Sequence, residues 1–257
     1  MPITTIPKWG IHMKRVLFYL MISLFTVACS ASETPAISHE ETTSTETKKP
    51  EIIESDLEED GDKEPEILLE FSLPNEQVTI NLSGIPILKQ FLSNLEDKQK
   101  EVENMQLIPI KFHDNNTIYL LEFSCFNASC SYLLLDQSED GNSLLVADLA
   151  KLNNVIISPN NNNFVLLFER VDSNEKNILR HMPIVINRTE GVIYDIELPP
   201  EIDRLDYSWP IVDIDWKDES TLTVVLPDIN EPSLEEIIAW EESEQHTKSF
   251  YIPLTEY

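Results

Sequence analysis

Glycine is scarce in this chain, with five residues in 257. Gly-rich phosphate-cradling loops need glycines at fixed spacing, so they are excluded. Basic side chains are scarce as well: 18 Lys and Arg stand against 46 Asp and Glu, a formal net charge of −28. Phosphate binding needs clustered cations, which excludes nucleic acid as a partner. A basic patch for anionic lipid headgroups is excluded for the same reason. The five histidines (His12, His39, His113, His181, His246) are scattered. There is no His-Glu-x-x-His and no Gly-x-Ser-x-Gly, and no convincingly placed Ser-x-x-Lys. These absences leave no catalytic residue, metal site or cofactor to nominate. What is present is a chain 42% hydrophobic and long enough for one large domain or two small ones with a real core.

The most informative segment is the first thirty residues. Met13, Lys14 and Arg15 open a charged region, and residues 16–28 (VLFYLMISLFTVA) form an uncharged apolar run. A spanning helix needs about 17–25 residues, so this run fits the hydrophobic part of a secretory signal peptide. It stops at Cys29, with Thr26-Val27-Ala28 before it and Ser30-Ala31-Ser32 after it. This pattern resembles the lipobox of bacterial lipoproteins, in which a small residue precedes a Cys whose sulfur is lipidated and the leader is removed. The family prefers Leu three positions before the Cys, where this chain has Thr26. The resemblance implies a signal peptide over 1–28, lipidation of Cys29, and a cell-membrane location on the extracytoplasmic face. It also suggests Met13 as the true start. The alternative is an uncleaved short anchor or a buried helix with an incidental Cys. Two acyl chains, at about 0.8 kcal/mol per buried CH₂, give stable attachment.

Residues 30–66 hold 13 acids, three Lys and no aromatic. Such a segment buries too little apolar surface to offset chain entropy, so residues 29–66 are expected to be a lipidated Cys and a disordered acidic tether. The acids at 56–62 lack the ligand spacing of a calcium loop.

Residues 67–104 are expected to form a strand pair (67–73 and 77–82) followed by an amphipathic helix over 84–105. Leu88, Phe91, Leu92, Leu95, Val102 and Met105 recur there at helical spacing. From 105 to 257 the pattern predicts strands at 107–112, 117–123, 130–135, 143–149, 164–170, 182–187, 192–198, 211–216 and 221–226. The stretch 234–253 adds two strands, or a short helix and one strand. With eighteen Asn against five Gly, the turns are expected to use Asn, which tolerates left-handed backbone. The chain is therefore mainly β. The repeated unit of strand, polar turn and more apolar strand, as in SPNNNNFVLLF, resembles the Ser-Pro-Asp-Gly hairpin of TolB-type and WD40-like propeller blades. That implies propeller-like antiparallel repeats, with a β-sandwich as the alternative.

Cys125 and Cys130 flank a four-residue hairpin, and in an exported protein they are most simply a disulfide. A redox pair would be spaced by two residues, and a zinc site would need two further ligands. Asp213 and Asp215 alternate with apolar residues and read as a solvated strand face rather than a glycosidase pair or a calcium site. Trp209, Trp216 and Trp240 read as core rather than as a groove. Two function classes remain. One is a non-enzymatic binding or scaffold module of the cell envelope, whose acidic body selects a protein partner with a basic surface. The other is an extracytoplasmic hydrolase with dispersed carboxylate catalytic residues.

Overall fold

The computed structural model describes residues 36–54, 66–135, 143–172, 178–194, 196 and 207–254. The leader and Cys29 lie outside the described residues, as do the acids of 56–62 and most of 192–198 beyond Tyr194. No described helix is long and apolar enough to cross a membrane.

The described chain is mainly β, in antiparallel sheets with few helices. A four-stranded sheet contains β1 (Ile37–Glu41), β2 (Glu51–Glu54), β3 (Ile67–Leu73) and β4 (Glu76–Asn81), in the order β1-β4-β3-β2. A 3-10 turn at Leu82–Gly84 leads into α1 (Pro86–Ser93) and α2 (Lys98–Val102). A seven-stranded meander follows: β5 (Gln106–Lys111), β6 (Thr117–Phe126), β7 (Ser129–Leu135), β8 (Ser143–Ile157), β9 (Asn163–Asp172), β10 (Ile178–Asn187) and β11 (Ile193–Tyr194). The chain ends in a three-stranded sheet of β12 (Asp213–Trp216), β13 (Thr221–Pro227) and β14 (Thr247–Pro253), with α3 (Leu234–Glu241) inserted before β14.

The meander folds back on itself at β8. The first part of that strand pairs with β7 and the second part with β9, with register shifts near Tyr132 and between Leu152 and Asn154. Strands that change partners through such irregularities make the corners of layered β structures. Three cores result. The first joins Leu69, Phe71, Val78 and Ile80 of the first sheet, and Leu88 of α1, to Tyr119, Leu121, Leu133 and Leu135. The second lies inside the folded meander, where Leu120, Tyr132 and Leu134 face Phe164, Leu166 and Phe168. The third sets Val165, Leu167 and Val185 against Ile214, Leu222, Val224 and Ile252. β6, β7, β9 and β10 thus bury both faces, which explains their nearly unbroken apolar runs. Each sheet ends on two edge strands, so the described residues form no closed barrel or propeller ring.

Two expectations are corrected. The acidic segment read as a disordered tether supplies β1 and β2. β1 pairs with β4 through Ile37↔Ile80 to Glu41↔Glu76, and β2 pairs with β3. A strand added to an existing sheet gains ladder hydrogen bonds on a supported edge, and Ile37 is buried. Few apolar residues are needed under those conditions. The single helix expected over 84–105 is two short ones. The break falls at Asn94–Asp97, where the Asp97 side chain accepts from the Lys100 N–H and starts α2 afresh.

Candidate functional site

The strand-turn-strand units place their polar turns where hydrogen bonds link one layer to the next. Asn75, Asn115 and Asn161, one in each of three turns, have φ of 69°, 65° and 59°. His113 Nδ1 lies 2.9 Å from Asn161 Oδ1. Arg188 pairs with Asp114 at 2.8 Å and stacks over Phe112. Asn163 Nδ2 donates to the Glu219 carbonyl. In the first layer, the Thr42 N–H donates to the Asn75 carbonyl.

Between the first sheet and the meander, the turns of Asn75 and Asn115 border a cleft of about 560 Å³. One wall is the end of β1 with the β3–β4 turn (His39, Glu41, Asn75, Glu76), and the other is the β5–β6 turn region (Lys111, Asn115, Thr117, Tyr119). The Tyr119 hydroxyl donates to Glu76 Oε2 at 2.8 Å. Burial, and then the carboxylate it serves, push the Tyr119 phenol well above its ordinary value, so it stays a donor at every physiological pH. Glu76 Oε1 is buried and has no hydrogen-bond partner.

A second polar row crosses β8, β9 and β10. Glu169 is opposite Lys151 on one side and His181 on the other. It is 5% exposed and accepts from Lys151 at 2.9 Å and Asn153 at 2.5 Å. Burial opposes its ionisation, but those two donors outweigh burial and hold its carboxyl below the usual range. Burial lowers the His181 pKa, and Glu169 only partly offsets this. His181 Nδ1 accepts from the Ile211 N–H, so the row is structural glue between layers.

The Cys125 and Cys130 sulfurs lie at disulfide distance, with their Cα atoms 4.1 Å apart. Glu122 is beside them, and together they are the group of potential metal ligands found among the described residues. Glu122 accepts from the Tyr132 hydroxyl at 2.6 Å, and that hydroxyl accepts from the Leu152 N–H at the β8 irregularity. Asp213 and Asp215 are exposed on one strand face. Trp209 is buried, and Trp216 packs against the third core with its Nε1 on the Ile156 carbonyl. Trp240 is half-buried and donates to the His246 carbonyl. None of the three lines the cleft. Sequence reasoning missed Glu41, Glu76 and Tyr119, because only the β1–β4 pairing and the packing of two layers bring them together.

No family model, no curated protein and no solved structure matches the chain.

Proposed function

We propose that this protein is a lipid-anchored binding module on the extracytoplasmic face of the cell membrane, holding an envelope protein with a basic surface. Lipidation of Cys29 would confine the domain to a thin shell above the membrane and raise its effective concentration toward partners there. Micromolar affinity, about −8 kcal/mol, is then sufficient. The observation that carries the reading is the acid-bearing cleft at the turn-linked end of the stacked sheets. It is concave, it is lined by Glu41 and Glu76, and it belongs to a body with 46 acids against 18 bases. The layering fits an open, propeller-like stack of blades, in which the first sheet, the two halves of the meander and the last sheet each count as one blade. A multilayer β-sandwich is the other description of the same stack.

One observation favours the hydrolase reading: Glu41 and Glu76 are directly opposed in the ladder and line one cleft. Carboxylate pairs of this kind serve glycoside hydrolysis.

The test has two arms. Cells grown in labelled palmitate should tag the protein, and Cys29→Ser should abolish the tag. Crosslinking in intact cells should capture a specific envelope protein that a chain lacking residues 67–257 does not capture. Failure of that capture, together with glycan hydrolysis lost in Glu76→Gln, would overturn the binding reading in favour of the enzyme.

A further inference from the structure

The geometry points to a zinc site at the β6–β7 hairpin, opened by reduction of the Cys125–Cys130 disulfide and held by Cys125, Cys130 and Glu122. It stands apart from the binding-module reading and shares no residue with the cleft.

In a regular strand Glu122 and Cys125, three positions apart, project from opposite faces. The register of β6 against β7 shifts between Phe123 and Phe126, and Ser124 within that bulge has a φ of 52°. Bulges re-aim side chains, and this one turns Cys125 to the side of Glu122. Cys130 is on that side already. Glu122 is directly opposite Tyr132, and Cys130 precedes Tyr132 by two residues on the same face. The two sulfurs and a Glu122 carboxylate oxygen therefore lie within 4.8 Å of one another. Glu122 Oε1 is 3.9 Å from Cys125 Sγ, while Oε2 accepts from the Tyr132 hydroxyl at 2.6 Å. That hydroxyl is fixed in turn by the Leu152 N–H. Metal sites hold their oxygen ligands in this way, with a donor behind the carboxylate. A structural disulfide has no use for such a carboxylate, since its sulfurs are neutral and carry no proton to donate.

The donor set selects the ion. Thiolates favour zinc over calcium and magnesium, and a carboxylate oxygen is an ordinary further ligand for zinc. Tetrahedral Zn–S bonds of about 2.3 Å need the sulfurs roughly 3.8 Å apart, so the S–S bond must break first. A dithiol reductant does this by exchange. Its two thiols become a disulfide, and Cys125 and Cys130 each gain one electron and one proton. Zinc then takes both sulfurs as thiolates, and their two protons pass to water. The ion's double positive charge also offsets two thiolates and a carboxylate that otherwise repel one another. Cys130 is 5% exposed but Cys125 faces solvent, so the ion has an entry path and a fourth position for water.

The test uses the full chain with Cys29→Ser, which leaves Cys125 and Cys130 as its two cysteines. It is reduced with a phosphine and titrated with zinc against a chromogenic chelator, then with cobalt(II) as a spectroscopic probe. One zinc should bind per reduced chain, at least a hundredfold more tightly than to the oxidised chain. Cobalt should show sulfur-to-metal charge transfer and the intense visible bands of a tetrahedral site. Cys125→Ser and Cys130→Ser should each cost a hundredfold or more. Glu122→Gln should cost tenfold or more, keep the charge-transfer band and alter the visible bands. Tyr132→Phe, which removes the donor behind the carboxylate, should cost about tenfold. Excess calcium or magnesium should not displace the zinc. Equal zinc affinity of the oxidised and reduced chains would overturn the site, as would unchanged affinity in Glu122→Gln. If Glu122→Gln fails to fold, the cobalt spectrum of the chain with Glu122 intact decides, and octahedral or sulfur-free bands there sink the proposal.

Discussion

Asn75 shows why this chain folds with so few glycines. Its φ is 69°, in the tight β3–β4 turn whose neighbouring residues border the cleft. Left-handed backbone costs an ordinary L-residue about 1–2 kcal/mol, and Asn pays less because its short amide satisfies nearby backbone. Asn75→Ala should therefore lower stability by about 1 kcal/mol in urea titrations, while Asn75→Gly should stay within a few tenths. The abundance of Asn over Gly made these turns legible. The positive φ of Ser124 and Leu149 was not legible, because both sit near strand irregularities fixed by pairing with distant segments. The Cys125–Cys130 pairing was read from the hairpin spacing together with the expectation that the protein is exported. Replacing both with Ser should cost about 2 kcal/mol in the chain-entropy model, read from the shift in unfolding midpoint with the fold intact. The row of Lys151, Glu169 and His181 escaped the sequence entirely, since its members come from three strands. It carries a pH signature. His181 is lowered from 6.5, so the native state resists its protonation, and the stability this gives is complete above about pH 6.5 and erodes below it. Glu169 is lowered from 4.5, so its contribution is present above that value and lost as pH falls through its native pKa. Unfolding midpoints should fall in two stages on acidification, and His181→Gln should remove the upper stage only.

β1, like β2, is an element that sequence reasoning could not find. Its five residues include one apolar side chain, Ile37, and two acids, a composition that by itself argues for disorder. What stabilises it is external: the ladder of β4, the burial of Ile37, and the close approach of Ala36 to Gly84. A Cβ on Gly84 would sit 2.5 Å from that of Ala36, so Gly84 is the glycine the fold needs for close packing rather than for its dihedral freedom. Gly84→Ala should push the start of β1 away at about 1–3 kcal/mol. Hydrogen exchange should then speed up at residues 37–41 and leave β6, β7 and β9 protected. Those inner strands were legible because burial on both faces demands uninterrupted apolar residues. The break between α1 and α2 was not, because the apolar stripe runs on through it. Since β1 carries Glu41, loss of β1 also removes one wall of the cleft, and any cleft-dependent binding should fall with it.

Net charge ties the whole molecule's stability to its proposed binding, with opposite signs. A formal charge of −28 on 257 residues means most acids have no cation to meet. Pairs such as Lys49–Glu103 and Lys248–Asp228 are exposed, and exposed pairs contribute about 0–1 kcal/mol each. Self-repulsion among the remaining acids acts against the compact state and is screened beyond about 10 Å at 0.1 M salt. Raising sodium chloride from about 0.02 M to 0.3 M should therefore raise the melting temperature, because it relieves more repulsion than it weakens attraction. The same screening should slow association with a basic partner and lower its capture, since steering of opposite charges weakens as the Debye length shrinks. Measured in one salt series, melting temperature and capture should move in opposite directions. A melting temperature that fell with salt would mean that the ion pairs linking the layers, Arg188–Asp114 among them, outweigh the repulsion. A capture that held steady would mean that the partner is recognised by shape and apolar contact, and that the acidic surface serves only to keep the protein in solution.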